Sequence, residues 1–149
     1  KLATALAERS DIQNRINTSS VRLDNNAKVQ EGDVPAEDPK ALMEELDRLI
    51  VRLEDLVARI NLTNSGTVYE GKTITELLAH RDCLKKKVRV LRDFLNTASD
   101  RVTRMTRTEI KIVSTVPVTE IQKTVDGLAK ELRTVDEKIQ ELNWTTELV

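Results

Sequence analysis

Residues 42–60 read LMEELDRLIVRLEDLVARI, and the predicted architecture starts from this stretch. Aliphatic residues recur there at steps of four and three, at Leu42, Leu46, Leu49, Leu53, Leu56 and Ile60. Met43, Ile50 and Val57 widen the stripe on one side, so that three positions in each heptad are apolar. This spacing predicts a helix that contacts more than one neighbour, as in a bundle.

Similar stripes elsewhere predict three more helices. We expect a single helical domain with helices at about residues 2–23, 40–64, 73–105 and 118–142. The predicted fold class is all-α, an antiparallel bundle of four long helices arranged as a double helical hairpin of the coiled-coil type. Two alignments, of residues 6–16 with 78–88 and of 46–61 with 125–140, leave open whether the chain is an internal duplication.

The amino-acid composition limits the classes of function that this protein can have. Charged residues make up 33% of the chain and aromatic residues only 2%, so the core must be aliphatic. The net charge of −1 gives no overall field that attracts nucleic acid or anionic membrane. The single cysteine, Cys83, excludes an intrachain disulfide and suits a reducing cytosol. No apolar run reaches the roughly 20 residues that span a bilayer, and the start of the chain lacks a secretory pattern. We therefore expect a cytoplasmic protein without a membrane role.

The two long connections between helices are expected to meet. In an up-down-up-down path, residues 24–39 and 106–117 lie at the same pole of the bundle. Ile110 and Ile112 alternate with polar residues, which predicts a strand ending before Pro117. We therefore predict a short extended or β element near residues 27–30 and 109–116, with an ordered structural role for the first connection. The acidic residues of this first connection make a cation-binding site the alternative to that structural role.

Arg9 and Arg81 are candidate structural or anion-binding residues. Both fall on or beside apolar seams, and a buried guanidinium must be paired because an unpaired buried charge costs several kcal/mol. We expect Asp11 and Asp82 to be too close along the helix to turn inward beside these arginines. Partners on an adjacent helix, such as Asp47 or Asp126, are favoured. The alternative is an anion-binding position in a bundle cavity.

His80 and Cys83 lie three residues apart and share one face of the predicted third helix. They could supply two metal ligands, but a closed zinc site needs two more. A nucleophilic Cys–His pair needs side chains that converge and a third group that orients the base. We therefore predict no catalytic residue, no cofactor and no metal site.

Charge divides unevenly along the chain. Residues 72–107 hold ten basic and four acidic residues, whereas residues 31–56 hold nine acidic and three basic residues. Opposite charges beside apolar seams favour helix pairing in a fixed register. The alternative is an RNA-binding helical hairpin that uses the basic helix, and its candidate nucleic-acid-binding residues are Lys85, Lys86, Arg89 and Arg92. A lack of stacking aromatics weighs against this alternative.

Several segments resemble a known family over essentially the whole chain. The segments are LAERSDIQNRI, NAKVQEGDVPAEDP, RINLTN, RTEIKIVSTV and NWTTEL. They resemble a family of small bacterial proteins that have no established catalytic residues and are sometimes labelled septicolysins. That label implies a cytolysin, yet the sequence has no export signal, no membrane segment and a single tryptophan, Trp144. In pattern only, residues 1–23 and 74–95 are similar to the helical tRNA-binding arm of seryl-tRNA synthetases.

The predicted function is a non-enzymatic helical scaffold or interaction protein that forms a homo-oligomer. An unknown protein partner is possible, and RNA binding through the third helix is the main alternative. An enzyme built around a pocket between Arg9 and Arg81 ranks third.

Overall fold

Four long helices carry the chain in the computed structural model, which describes residues 1–100 and 110–149. The elements in chain order are α1 (Leu2–Asn25), α2 (Pro39–Gly66), β1 (Val68–Tyr69), β2 (Lys72–Thr73), α3 (Ile74–Ser99) and α4 (Val118–Thr145). The predicted all-α class is confirmed. The last helix continues to Thr145 instead of ending near 142, and the predicted end of the third helix at 105 lies outside the described residues.

The start of α2 shows how local sequence sets a helix boundary. The Asp38 side chain accepts a hydrogen bond from the Lys40 backbone N–H at 3.1 Å, and Pro39 occupies the first turn. An acidic N-cap satisfies an otherwise unpaired N–H, and proline at this position has no N–H to leave unpaired. The buried face that follows consists of Leu42, Leu49, Leu56, Ile60 and Thr63.

The chain divides into two compact units. Unit 1 comprises Lys1–Ile74 together with Leu142–Val149, and unit 2 comprises Thr75–Glu141. The most deeply buried side chains of unit 1 are Leu2, Leu56, Ile60, Thr63 and Ile74. Those of unit 2 include Leu84, Val88, Leu95, Val125 and Ile139. Aliphatic side chains therefore fill both cores, as the composition requires.

The C-terminal residues dock onto the helices of unit 1. The Leu2 N–H donates to the Thr146 carbonyl at 2.9 Å. The Val149 N–H donates to the Thr63 hydroxyl at 3.1 Å, and its carbonyl accepts from Arg59 Nε at 2.6 Å. These bonds join the end of the chain to both α1 and α2, which the sequence did not predict.

The only strand pair in the described residues lies between α2 and α3. Val68 pairs with Thr73 and Tyr69 pairs with Lys72 in antiparallel register. The two loop residues between them, at positions 70 and 71, have φ angles of 48° and 80°. Two consecutive positive φ angles are typical of the tight turns that match the twist of a hairpin.

The predicted β element is therefore misplaced. Residues 27–30 and 110–116 form no strand, and residue 109 lies outside the described residues. A two-residue loop brings β1 and β2 together at little cost in chain entropy, whereas pairing two distant segments requires closure of a long loop. The prediction that residues 24–39 and 106–117 share one pole stays a prediction, because they belong to different units and residues 106–109 are not described.

Two pairs of aligned residues are buried in both halves of the sequence. The aligned buried residues are Ile12 with Leu84 and Ile60 with Ile139. Glu8 aligns with His80, and Arg52 aligns with Glu131. Each pair is in contact, but the acidic and the basic residue have exchanged places. The internal duplication stays a prediction, because other aligned positions differ in burial, such as exposed Ile50 and buried Ala129.

Within the two described ranges, no helix combines the length and apolar content needed to cross a bilayer.

Candidate functional site

The connection between α1 and α2 is closed at its base by a buried asparagine. The Asn26 side-chain amide donates to the Arg22 carbonyl at 2.8 Å, and its oxygen accepts from the Glu37 N–H at 2.9 Å. The Arg22 guanidinium donates to both Glu37 carboxylate oxygens, at 3.1 and 2.6 Å. This bond lowers the pKa of Glu37. The residues between, 27–36, are almost all exposed.

These contacts reduce the number of carboxylates available for the cation site, which was the alternative role of this connection. Glu37 is bound by Arg22, and Asp38 caps α2. Two of the four acidic side chains in the connection are therefore engaged by protein groups, and Glu31 and Asp33 remain exposed. The described geometry favours the structural role.

Replacing Asn26 with alanine is expected to reduce the free energy of unfolding by about 1–2 kcal/mol. The substitution leaves the Arg22 carbonyl and the Glu37 N–H without their partner at a part-buried position. Urea unfolding followed by circular dichroism measures the change. The adjacent Asn25 is exposed, so Asn25→Ala is the matched control and should change little. Equal effects of the two substitutions would show that the buried amide does not hold the connection.

A row of ion pairs joins α1 to α2. Arg52 donates to both oxygens of Glu8, at 2.7 and 2.9 Å, and lowers the pKa of that carboxyl. Further along, Arg15 contacts Glu45 at 3.3 Å, and Arg22 contacts Glu45 at 3.5 Å. From Glu8 to Arg15 the position advances along α1 while the partner recedes along α2, from Arg52 to Glu45, so the two helices run antiparallel.

Sequence spacing carries a signal for this row, although none of the sequence-based predictions includes it. Residues 8, 15 and 22 are spaced by seven, and so are residues 45, 52 and 59. Each set therefore lies on one face of its helix. Glu8 and Glu45 carry the opposite charge to Arg52 and Arg15, their antiparallel counterparts. The signal is the match between two heptad-spaced sets of charges.

Unit 1 contains a cavity of about 240 Å³ beside this row. Its lining residues come from α1, α2 and the C-terminal residues, namely Lys1, Thr4, Ala5, Glu8, Arg52, Leu56, Arg59, Glu147 and Leu148. The charged ones are already paired, because Lys1 contacts Glu147, Glu8 contacts Arg52, and Arg59 contacts Asp55 at 3.8 Å. A charged ligand that entered this cavity would have to replace an existing ion pair.

The structure places Arg9 and Arg81 in different units. Arg81 has a side chain only 20% exposed and contacts Asp82 at 2.9 Å and Asp136 of α4 at 3.6 Å. Asp82 does not turn inward, since its side chain is 56% exposed, and the contact on the adjacent helix is Asp136 instead of Asp126. The long guanidinium can fold back along its own helix to reach the next residue. Arg9 is half-buried and has no ion pair within the described residues.

His80 and Cys83 do not bond to each other. His80 Nε2 lies 3.1 Å from Glu131 of α4, and Cys83 is an exposed free thiol on α3. In the described parts of the chain, no three His, Cys, Asp or Glu side chains form a group that could hold a metal ion.

The candidate nucleic-acid-binding residues all lie on α3 and are all exposed. They are Lys85, Lys86, Arg89 and Arg92. None of them has an ion pair or side-chain hydrogen bond with another described residue. They differ in this respect from Arg81, one turn earlier on the same helix.

An exposed aliphatic stripe runs along α2. Met43, Ile50 and Val57 are 51%, 45% and 36% exposed. Their spacing of seven places them in one line, to one side of the buried leucines and away from the ion pairs with α1. We call these three residues the α2 stripe.

Comparisons with known proteins give a family and a structural relative. A model described as a family of unknown function, DUF6847, matches residues 9–148. The chain is similar to a functionally unknown conserved protein from Corynebacterium diphtheriae, known from a crystal structure, with 46% identity and a TM-score of 0.90. That match covers 99% of this chain and 97% of the other. No curated protein matches the chain. The predicted resemblance to a family without an established function is confirmed, and the septicolysin label gains no support.

Proposed function

Since the chain belongs to DUF6847, a family of unknown function, we propose its role from the geometry: a non-enzymatic helical scaffold that self-associates through the α2 stripe. The proposed setting is the cytoplasm, because the exposed thiol of Cys83 suits a reducing compartment.

The exposure of the α2 stripe carries this proposal. Single exposed aliphatic residues are common on protein surfaces, but a line of them on one helix face marks a contact surface. Met43, Ile50 and Val57 extend over 15 residues of one helix, or about 21 Å from first to last. Burial of these side chains against another apolar surface would be favourable at about 25 cal/mol for each Å² removed from water.

The spacing of the stripe favours a second copy of the chain as the partner. Met43 and Val57 are equally distant from Ile50 along α2. If α2 of one copy packs antiparallel to α2 of a second copy, Ile50 lies against Ile50 of the other copy. Met43 of each copy then lies against Val57 of the other. Such self-complementarity is what a two-fold symmetric interface requires.

The charges beside the stripe give the proposed contact a distinctive salt dependence. Asp47 and Glu54 lie on the same side of the stripe. In the antiparallel arrangement, Asp47 of one copy approaches Glu54 of the other, and the two carboxylates repel. Because salt screens repulsion between exposed charges, self-association should strengthen as ionic strength rises.

We expect light scattering to give an oligomer mass for the native protein and a monomer mass for Ile50→Glu at the same concentration. A buried glutamate at the centre of the stripe would face its own counterpart across the interface, where an unpaired charge is costly. Leu62→Glu is the matched control, since Leu62 is 63% exposed on the same helix but about a third of a turn from the stripe. This control should keep the native mass.

Three results would refute self-association through the stripe. The first is a monomer mass for the native protein at every dilution and salt concentration. The second is an unchanged oligomer for Ile50→Glu. The third is equal dissociation by the Leu62→Glu control, which would point to a general effect of added charge.

A further inference from the structure

The cations of unit 2 fall into two groups. Arg81 contacts Asp82 and Asp136, and His80 contacts Glu131. By contrast, the segment KKKVRVLR at residues 85–92 carries five cations that are all exposed. None of the five has an ion pair or a side-chain hydrogen bond with another described residue.

Three of these cations form a line on α3. Lys85, Arg89 and Arg92 are spaced by four and three residues, so they lie on one helix face over about 10 Å. We call them the α3 basic row. Like charges at these spacings destabilise a helix slightly. The row therefore concentrates positive charge, and none of its three members has an ion pair with another described residue.

Four of the six acids of α4 have other partners, including Glu141, which contacts Lys138. Glu131 contacts His80, Asp136 contacts Arg81, and Asp126 accepts a hydrogen bond from Gln122 at 2.8 Å. The acids of α2 that contact bases are likewise used inside unit 1, where Glu45 binds Arg15 and Arg22. Among the described residues of unit 2, contacts with acids reach His80 and Arg81 of the basic helix, and none reaches the five cations at residues 85–92.

We propose that the α3 basic row binds the phosphate backbone of a nucleic acid. Two arginines present forked N–H donors that match phosphate oxygens, and lysine adds a point charge. Val88 is buried, and the exposed apolar side chains of α3, Val90 and Phe94, lie at least about 100° around the helix from the row. A polypeptide partner needs an apolar centre in its interface, whereas backbone phosphates need only charge and hydrogen-bond donors. The proposal goes beyond the proposed self-association and uses a different helix.

Recognition of this kind is independent of base sequence. The row offers cations and no aromatic ring for stacking, so it reads phosphates alone. Three phosphate contacts predict that the logarithm of the affinity falls with the logarithm of salt with a slope of about −2 for a single strand. That slope identifies the contact as electrostatic.

The test is fluorescence polarisation with labelled single-stranded RNA and single-stranded DNA of one sequence, measured over a series of salt concentrations. The variant Lys85→Gln, Arg89→Gln, Arg92→Gln removes the row. The matched control is Lys123→Gln, Lys130→Gln, Arg133→Gln, which removes the same charge from exposed positions of α4 that have no ion pair in the described residues. Circular dichroism melts confirm that both variants keep the helical fold.

We expect the native protein to bind at low salt and the row variant to bind about tenfold more weakly, with its salt slope reduced toward zero. The control should keep most of the native affinity and slope. Equal binding of RNA and DNA identifies the shared backbone as the ligand, and tighter binding of RNA adds contacts to the 2′-hydroxyl.

Four results would overturn the proposal. These are a lack of binding by the native protein at low salt, equal binding by the row variant, an equal loss in the α4 control, and displacement of the nucleic acid by polyglutamate at the same charge concentration. The last result would identify an acidic polypeptide as the partner of the row.

Discussion

Replacing Leu56 with alanine is expected to lower the free energy of unfolding by about 3 kcal/mol. Leu56 is 0% exposed in unit 1 and lies on the buried face of α2. Removal of its side chain loses apolar burial and leaves a void, and such substitutions in well-packed cores cost about 2–5 kcal/mol. Leu56 also borders the 240 Å³ cavity, so the new void would join existing space instead of closing.

Equilibrium unfolding in urea, followed by helical circular dichroism, measures this change. All variants should be compared at one protein concentration, because self-association would make apparent stability depend on concentration. Leu62→Ala is the control on the same helix, and because Leu62 is largely exposed it should cost less than about 0.5 kcal/mol. If Leu56→Ala and Leu62→Ala destabilised equally, the buried face of α2 would be wrongly assigned.

Deletion of the last four residues, Thr146–Val149, is expected to lower the free energy of unfolding by about 2–3 kcal/mol. The deletion removes the hydrogen bonds to Leu2, Thr63 and Arg59, which contribute about 1 kcal/mol each. It also uncovers apolar surface, since Leu148 lines the cavity beside Leu56. Three bonds to α1 and α2 therefore fix these residues on unit 1.

The same urea unfolding experiment tests this prediction. Glu147→Gln is the control, because it removes only the exposed ion pair with Lys1, and exposed pairs rarely change stability measurably. An unchanged stability of the deletion variant would show that the C-terminal residues do not stabilise unit 1. A large effect of the control would instead assign the stabilisation to charge.

The predicted helices follow from information that is local in the sequence. The steps of four and three from Leu42 to Ile60 placed α2, and Asp38 with Pro39 placed its start. Each of these signals acts over one or two turns, so it holds wherever the helix sits in the molecule. The heptad spacing of Glu8, Arg15 and Arg22 was also present in the sequence. It predicts ion pairs only if a second helix packs against α1 with its opposite charges in matching register.

The misplaced strand has a different cause. Alternation of Ile110 and Ile112 with polar residues indicates extended backbone, but alternation does not supply a partner. The hairpin at residues 68–73 has a weaker alternation and a stronger turn signal, the Glu70–Gly71 pair between two short β-prone segments. The partner of β1 follows it after only two residues, so a strand pair forms there. The stronger alternation near Ile110 has no such neighbouring partner among the described residues.

Periodicity and capping thus specified an all-helical chain with an aliphatic core and a basic third helix, because those features depend on neighbours within a few residues. The tertiary structure alone determined which charges are paired. It joined Arg22 to Glu37 and Arg81 to Asp136, bound the C-terminal residues over α1 and α2, and left Lys85, Arg89 and Arg92 without a partner in the described residues. Ion pairs and docked ends require two distant segments to meet within a few ångströms, and one-dimensional spacing does not encode that distance.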